Sequence, residues 1–330
     1  MYNWIGTLTQ DQKRLQILAR WMRLVPRPLV YATLWTIGWL ICLGAGSVRQ
    51  QVRRNMAELL QEETPGRIAR FSREYFCNLP LVLYEILLDS HTLESTKDWR
   101  FLTEGEEHLQ EALRHGRGAI LHTAHVGNFF YYYWYLSQKY PCLTVVTASS
   151  PEIRPLYLIF QQLGCHGLDY DETPHLELIR TLRKHLAGNG VVFLLGDFWR
   201  PAFPKATFFG RETRSPGGTA ALALDQQVPV VPFYGCRIKG FRHRLCFGPP
   251  VYLHEEFERH QRTEATNRLN ILMERVIRRL VPGQWFYWFN SEERWEPTEQ
   301  VKGTEQVQRS EQVVRTESAD RVEDGGATVA

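Results

Sequence analysis

The stretch from Gly118 to Tyr135, GAILHTAHVGNFFYYYWY, limits what this chain can fold into more than any other. An apolar run from Ala119 to Ala124, interrupted by His122 and Thr123, gives way to His125, then to Gly127-Asn128, then to a dense aromatic segment. That order predicts a buried strand, a tight turn and the start of a helix. In an open parallel sheet, ligands bind in the crevice beyond the carboxyl ends of the strands, so His125 stands where chemistry would be done. Gly127 permits the turn, and the N–H groups opening the next helix would point at whatever lies beside the imidazole. A strand-end histidine with one hydrogen-bonded partner and no chemistry fits this stretch equally well.

The chain around it repeats the pattern. From Gly118 to about Leu253 apolar runs alternate with helical periodicity, the sign of an α/β fold with a largely parallel central sheet flanked by helices. Strands are expected at 143–147, 190–195 and 229–235, and helices at 153–163, 176–186 and 219–224. GVVFLL, residues 190–195, is continuously apolar, as suits a strand covered on both faces. It ends at Gly196-Asp197, so Asp197 falls at one strand end as His125 falls at another. If the two strands are parallel, both side chains lie along one sheet edge; otherwise Asp197 reads as a turn or cap residue.

After Asp197 comes FWRPAFPKATFFGRETRSPGG, read as a loop carrying Arg200, Lys205, Arg211 and Arg214. Loops this long in a folded domain are functional or disordered, and the interleaved phenylalanines argue against disorder. Basic residues at the ligand edge suit a phosphate or carboxylate; a solvated charge run is the plain alternative.

The N-terminal region has another character. No charge occurs from Pro28 to Val48, while Arg20, Arg23 and Arg27 precede the run and Arg49, Arg53 and Arg54 follow it. A spanning helix, a hydrophobic helix lying in one leaflet with its arginines on anionic headgroups, and a buried core helix are the three readings. The run starts too late for a cleaved secretory signal. Farther on, Thr64-Pro65 predicts a helix start, Pro80 a kink or division, and 105–115 a helix closed by Gly116-Arg117-Gly118. Near the C-terminus Leu269, Leu272, Val276, Ile277 and Leu280 recur at helical spacing beside four arginines. Beyond Pro297, TEQVKG, TEQVQR and SEQVVR repeat with period six in a segment too polar to build a core, and disorder is expected.

Net charge is only +3, which argues against nucleic acid as a partner. The six cysteines form no CxxC pair and no regular spacing, so neither a zinc knuckle nor a disulfide framework is suggested. A metal hydrolase built on His122 and His125 meets a geometric objection, since side chains three apart on a strand face opposite ways.

Five motifs in order carry a resemblance: His125-x-Gly127-Asn128 after a strand, Gly196-Asp197 at a later strand end, Phe208-Phe209-Gly210-Arg211 followed by Ser215-Pro216-Gly217-Gly218, Val228-Pro229-Val230-Val231-Pro232, and PGQWFYWF at 282–289. Together, over roughly residues 15 to 296, they resemble the bacterial lipid A biosynthesis acyltransferase family, which includes lauroyl and myristoyl transferases and the related phosphatidylinositol mannoside acyltransferase. The resemblance implies a glycerolipid acyltransferase-like domain held to the cytoplasmic face of the plasma (inner) membrane. Its implied partners are an acyl-carrier protein or acyl-coenzyme A donor and a membrane lipid or glycolipid acceptor, with no cofactor and no metal. His125 would be the general base and Asp197 its acid, with Gly127, Asn128, Arg211 and Arg214 binding substrate. The implied organisation is a membrane-associated N-terminal region at 1–60, the α/β domain at 61–296 and a polar tail at 297–330. One departure stands out. The family pattern places Glu or Asp five positions after the histidine, and here that position is Phe130. Asp197 would then take over as the acid, or the base would work unaided and slowly, or the chain would be a non-catalytic lipid-binding relative.

Overall fold

Every strand of the central sheet but two runs in one direction, and the two that matter for His125 are neighbours. The structure, a computed structural model, describes residues 12–147 and 154–295. Helices α1 (Gln12–Met22), α2 (Arg27–Gly44), α3 (Gly46–Leu59), α4 (Pro65–Tyr84) and α5 (Leu93–Arg100) precede β1 (Phe101–Glu104). Then follow α6 (Glu106–Arg114), β2 (Ala119–Thr123), α7 (Phe129–Ser137), β3 (Cys142–Val146), α8 (Arg154–Gln162), β4 (Gly167–Asp169), α9 (His175–Ala187) and β5 (Val191–Leu195). A hairpin of β6 (Lys205–Phe208) and β7 (Arg211–Arg214) leads to α10 (Gly218–Gln226), β8 (Val230–Lys239), β9 (Arg242–Phe247), α11 (Leu253–Glu256) and α12 (Arg262–Arg275). Through Arg294 these residues form one unit; the second unit, Trp295 to Ala330, lies outside the described residues apart from Trp295. The expected disordered tail at 297–330 and the first residue of the helix expected at 153–163 therefore also lie outside them.

The seven-stranded sheet has the order β1-β9-β8-β2-β5-β3-β4, and its pairs are parallel except β8 with β9. Alternation along β2 and β5 splits the core between the two faces. Leu121 and Phe193 join Tyr131, Tyr132, Phe233 and Leu245 on one side. Ile120 and Val192 join Leu182, Leu224, Val230 and Leu269 on the other. All six cysteines are free, and five are buried.

Several expectations need correction. The 198–218 segment is not a plain loop. Phe209 and Gly210 both have positive φ (53° and 71°), the backbone of a two-residue turn that matches strand twist, so β6 and β7 pair antiparallel. β1 (FLTE) and β9 (RHRLCF) contain no long apolar run and so are not marked in the sequence as strands. Pro80 does not divide α4, which runs to Tyr84 and passes into a π-helical turn at Glu85–Asp89. The start of α4 is as expected, Thr64 Oγ1 accepting from Arg67 N.

The uncharged N-terminal run is shared between two helices. Ala45 ends α2 between two glycines, and α3 leaves at 93°. Among the described residues no single helix is long and apolar enough to cross a membrane; only α2 and α3 together pass by length and composition, as a bent pair. α2 buries Val30, Gly38 and Cys42 against the body and leaves Leu29, Ile37, Trp39, Leu40, Ile41 and Leu43 exposed. At Gly38 it lies on the backbone of α4, where a Cβ would sit 2.5 Å from Cys77 Cα and 2.7 Å from the Phe76 carbonyl oxygen. A contiguous exposed apolar face of this kind marks an interaction surface.

Candidate active site

Sheet register brings the two strand-end residues together. β2 and β5 are parallel, with Thr123 opposite Leu195, and Gly196 N donates to Thr123 O at 2.8 Å, so His125 and Asp197 stand level with each other two positions further along. The Asp197 carboxylate accepts the His125 backbone N–H on both oxygens (3.0 and 2.9 Å) and meets Nδ1 through Oδ1 at 2.6 Å. Its Oδ2 also accepts from Trp285 Nε1 at 2.7 Å. Burial alone would push this carboxyl up, but His125, Trp285 and Arg294 together hold it below the usual aspartate range. Asp197 is therefore ionised, its side chain fully enclosed and held by His125 and Trp285. His125 itself keeps 14% of its side chain exposed, and Nε2 has no partner among the described residues.

The segment that follows α12 clamps this pair. Phe286 N donates to His125 O (2.8 Å), Gly127 N donates to Gln284 O (3.0 Å), and Val126 bridges antiparallel to Trp285. Rings of Phe129 and Tyr287 stand edge-on to the imidazole at 4.9 and 5.0 Å, and Phe286 lies 6.5 Å away. These rings make an aromatic collar around a polar pair.

Of the other residues expected to bind substrate, two are consumed by structure. Gly127 has φ 59°, and a Cβ there would lie 2.2 Å from the Tyr132 hydroxyl. Asn128 is completely buried. Its side chain caps α7 through Tyr131 N and donates to Glu85 Oε2, while its own N–H donates to the Tyr132 hydroxyl. The N–H groups of Gly127 and Asn128 are thus already bonded inside the protein and are not open to an oxyanion. Arg211 pairs with Glu58 of α3 at 3.1 Å, and Arg214 donates to the Phe203 carbonyl at 3.0 Å. Phe130 stacks on Phe129 (4.8 Å) and lies tilted against Phe160 (5.0 Å), packed on the apolar face of the sheet. A carboxylate in its place would enter a hydrophobic wall.

Three further features complete the surroundings, and only the orientation of His122 had a readable sequence signal. Arg294, 5% exposed, sits over Trp285, Tyr287 and Phe208 at 5.1, 5.0 and 5.6 Å. Below the turn lies a second imidazole–carboxylate pair. Glu85 accepts from both Nη atoms of Arg237 (2.7 and 2.6 Å) and meets His243 Nε2 at 2.8 Å, and His243 Nδ1 meets the Tyr132 hydroxyl at 3.1 Å. One consistent set of donors runs through it: Asn128 N–H to Tyr132, Tyr132 O–H to Nδ1, Nε2–H to Glu85, which requires a neutral His243. Burial pulls His243 below the usual histidine value although Glu85 pushes it up. Third, His122 faces away from His125, towards Thr219 Oγ1 at 3.2 Å, with Nε2 unpartnered, and burial pulls it down to about 4. No group of three or more His, Cys, Asp or Glu suited to a metal occurs among the described residues.

The phosphatidylinositol mannoside acyltransferase of Mycolicibacterium smegmatis is 34% identical over 143 residues, 41% of this chain and 45% of that enzyme. The enzyme of the same name from Mycobacterium tuberculosis H37Rv is 33% identical over 144 residues, 41% of this chain and 44% of its own length. The matched region thus spans under half the length of these curated relatives. The 1-acyl-sn-glycerophosphate acyltransferase PlsC from Thermotoga maritima, a solved structure, aligns with 77% of this chain and 99% of its own at 13% identity, with a TM-score of 0.37. Residues 15–295 match the sequence profile described as bacterial lipid A biosynthesis acyltransferase, and by that match the chain belongs to that family.

Proposed function

We propose that this protein transfers a fatty acyl chain from a thioester to a hydroxyl of a membrane lipid or glycolipid, with His125 as general base and Asp197 as its orienting acid. The observation that carries the reading is the grip of Asp197 on His125. Its contacts to the backbone N–H and to Nδ1 fix the ring and put the proton on Nδ1, so Nε2 faces outward as a base. In the reaction Nε2 takes the proton of the acceptor hydroxyl and the oxygen adds to the thioester carbonyl. The intermediate then collapses, the C–S bond breaks, and the leaving thiolate recovers the proton from the imidazolium, which Asp197 stabilises. The aromatic collar of Phe129, Phe286 and Tyr287 keeps water from competing with the acceptor.

The exposed apolar face of α2, with Arg20 and Arg23 before it and Arg53 and Arg54 after it, supports association with the cytoplasmic face of the plasma membrane, the helix lying in the interface. An acyl-carrier protein or acyl-coenzyme A would supply the chain. Phe130 favours the alternative of a lipid-binding relative without catalysis; Asp197, in contact with Nδ1, removes the main reason for it.

Purified protein on vesicles containing phosphatidylinositol mannosides, supplied with radiolabelled palmitoyl-coenzyme A, tests the proposal. Labelled product should form with wild type and fall by about 10²–10⁴-fold in His125→Ala at unchanged melting temperature. Wild-type turnover in that variant would end the mechanism.

A further inference from the structure

Arg294 presents a problem of charge balance beside the dyad. Its side chain is 5% exposed, yet no hydrogen bond or ion pair of its guanidinium occurs among the described residues, and Nε is buried without a partner. Three ring faces, of Tyr287, Trp285 and Phe208, surround it. Ring faces hold a cation in place but offset only part of its lost hydration. The carboxylate nearest to helping is Asp197, whose oxygens are already committed to His125 and Trp285. The backbone at Arg294 is fixed as well, its carbonyl accepting from the Thr213 hydroxyl of β7 at 2.6 Å. The guanidinium carbon and the His125 ring each lie 5.0 Å from the centre of the Tyr287 ring, so they are no more than about 10 Å apart. That is the reach of one substrate molecule engaged at Nε2.

We propose that Arg294 is an anion-binding group of this site and takes a phosphate of a substrate. The proposal rests on the acyl-transfer reading of His125, because that reading supplies the substrates. The acyl group arrives as a neutral thioester, so the anions brought to His125 are phosphates of the lipid or of the thiol carrier. A guanidinium fork matches two phosphate oxygens. Phosphate there would complete the coordination that the protein leaves open, and would set how far the reacting hydroxyl or thioester sits from Nε2. Arg211 and Arg214, the arginines a sequence reading assigns to phosphate, are engaged with Glu58 and the Phe203 carbonyl instead.

The test titrates the full chain, by calorimetry, with two matched pairs of soluble probes: dihexanoyl phosphatidic acid against dihexanoylglycerol, and coenzyme A against pantetheine. Wild type should bind at least one phosphate-bearing probe about tenfold or more tightly than its phosphate-free counterpart. Arg294→Gln should abolish that preference, Arg294→Lys should keep part of it, and His125→Ala should leave it intact. A preference in the lipid pair alone assigns the site to a lipid phosphate, and in the coenzyme pair alone to the carrier's phosphate. Absence of any preference in wild type overturns the proposal even if the glutamine variant fails to fold. So does a folded Arg294→Gln that binds the probes like wild type while turning over more slowly, since Arg294 would then act through Asp197. If His125→Ala keeps full turnover but the phosphate preference still follows Arg294, the acyl-transfer mechanism falls and the anion site stands.

Discussion

His125–Asp197 and His243–Glu85 are both imidazole–carboxylate contacts, at 2.6 and 2.8 Å, and they sit on either side of the same turn. The first pair leaves one ring nitrogen open. The second has both ring nitrogens bonded, its carboxylate neutralised by Arg237, and no exposure at all. Contact distance and residue type therefore say nothing of role; the free nitrogen does. The closed pair supports the open one, since Glu85 holds Asn128, Tyr132 holds the Asn128 N–H, and Gln284 joins Arg237 to the Gly127 N–H.

Substitution should separate the two pairs by what is lost. Asp197→Asn keeps an acceptor for the backbone N–H but removes the charge that stabilises the imidazolium. By analogy with an orienting aspartate in a serine-protease triad, it should cost about 10³–10⁴ in kcat with little change in melting temperature. A kcat within threefold of wild type would erase the distinction drawn here. Glu85→Gln strands the Arg237 guanidinium in the core and should cost about 3–5 kcal/mol of stability, seen as a melting temperature lower by roughly 10 °C, with turnover per folded molecule reduced far less. A stable but inactive Glu85→Gln would show the closed pair to be part of the chemistry.

Acid should undo the molecule in two stages. His122 and His243 have folded values below the ordinary 6.5, so the folded state binds fewer protons than the unfolded chain as pH falls below 6.5. The stability tied to their neutral forms is complete above 6.5 and is lost as pH drops through the folded values. For His122 that window runs from 6.5 to about 4, and the loss is about 3 kcal/mol. Asp197 and Glu85, both lowered, hold their contribution above the ordinary carboxylate range and lose it only at more acid pH. Urea midpoints between pH 7 and 4 should fall for wild type and fall less for His122→Asn; parallel slopes would remove His122 as the cause. The smallest effect expected is that of Phe130→Glu. Activity should rise less than threefold, at a stability cost of about 1–3 kcal/mol, because the new carboxylate meets Phe129 and Phe160 rather than His125. A gain of tenfold or more would mean that Asp197 is not the working acid.

The central strands β2, β3, β5 and β8 and the placement of His125 and Asp197 were legible in the sequence for one physical reason. Buried parallel strands read as apolar runs, and both residues fall two positions past the end of such a strand. What was illegible depended on contacts distant in sequence. Arg237 and Glu85 are ordinary charged residues until the fold joins them, and Arg294 follows a segment with no periodicity. The β6–β7 hairpin was hidden because its turn is made by a phenylalanine at positive φ, which sequence patterns assign to glycine or asparagine. Asn128 looked like a substrate ligand because a polar residue at a helix start is drawn the same way whether it faces a ligand or caps its own backbone.

The contact at Gly38 makes a stiff lever. With no side chain between them, α2 and α4 touch backbone to backbone, and α4 reaches the segment that clamps His125 through the Tyr75 hydroxyl on the Phe286 carbonyl and through Glu74 on Gln284. The apolar flank of α2 and the imidazole are consequently parts of one solid body, and the height of Nε2 above any surface on which α2 rests is a constant of the fold rather than a property of a tether. On the acyl-transfer reading proposed above, with α2 lying in the membrane interface, that body acts as a depth gauge, and Nε2 meets only hydroxyls presented at that one level.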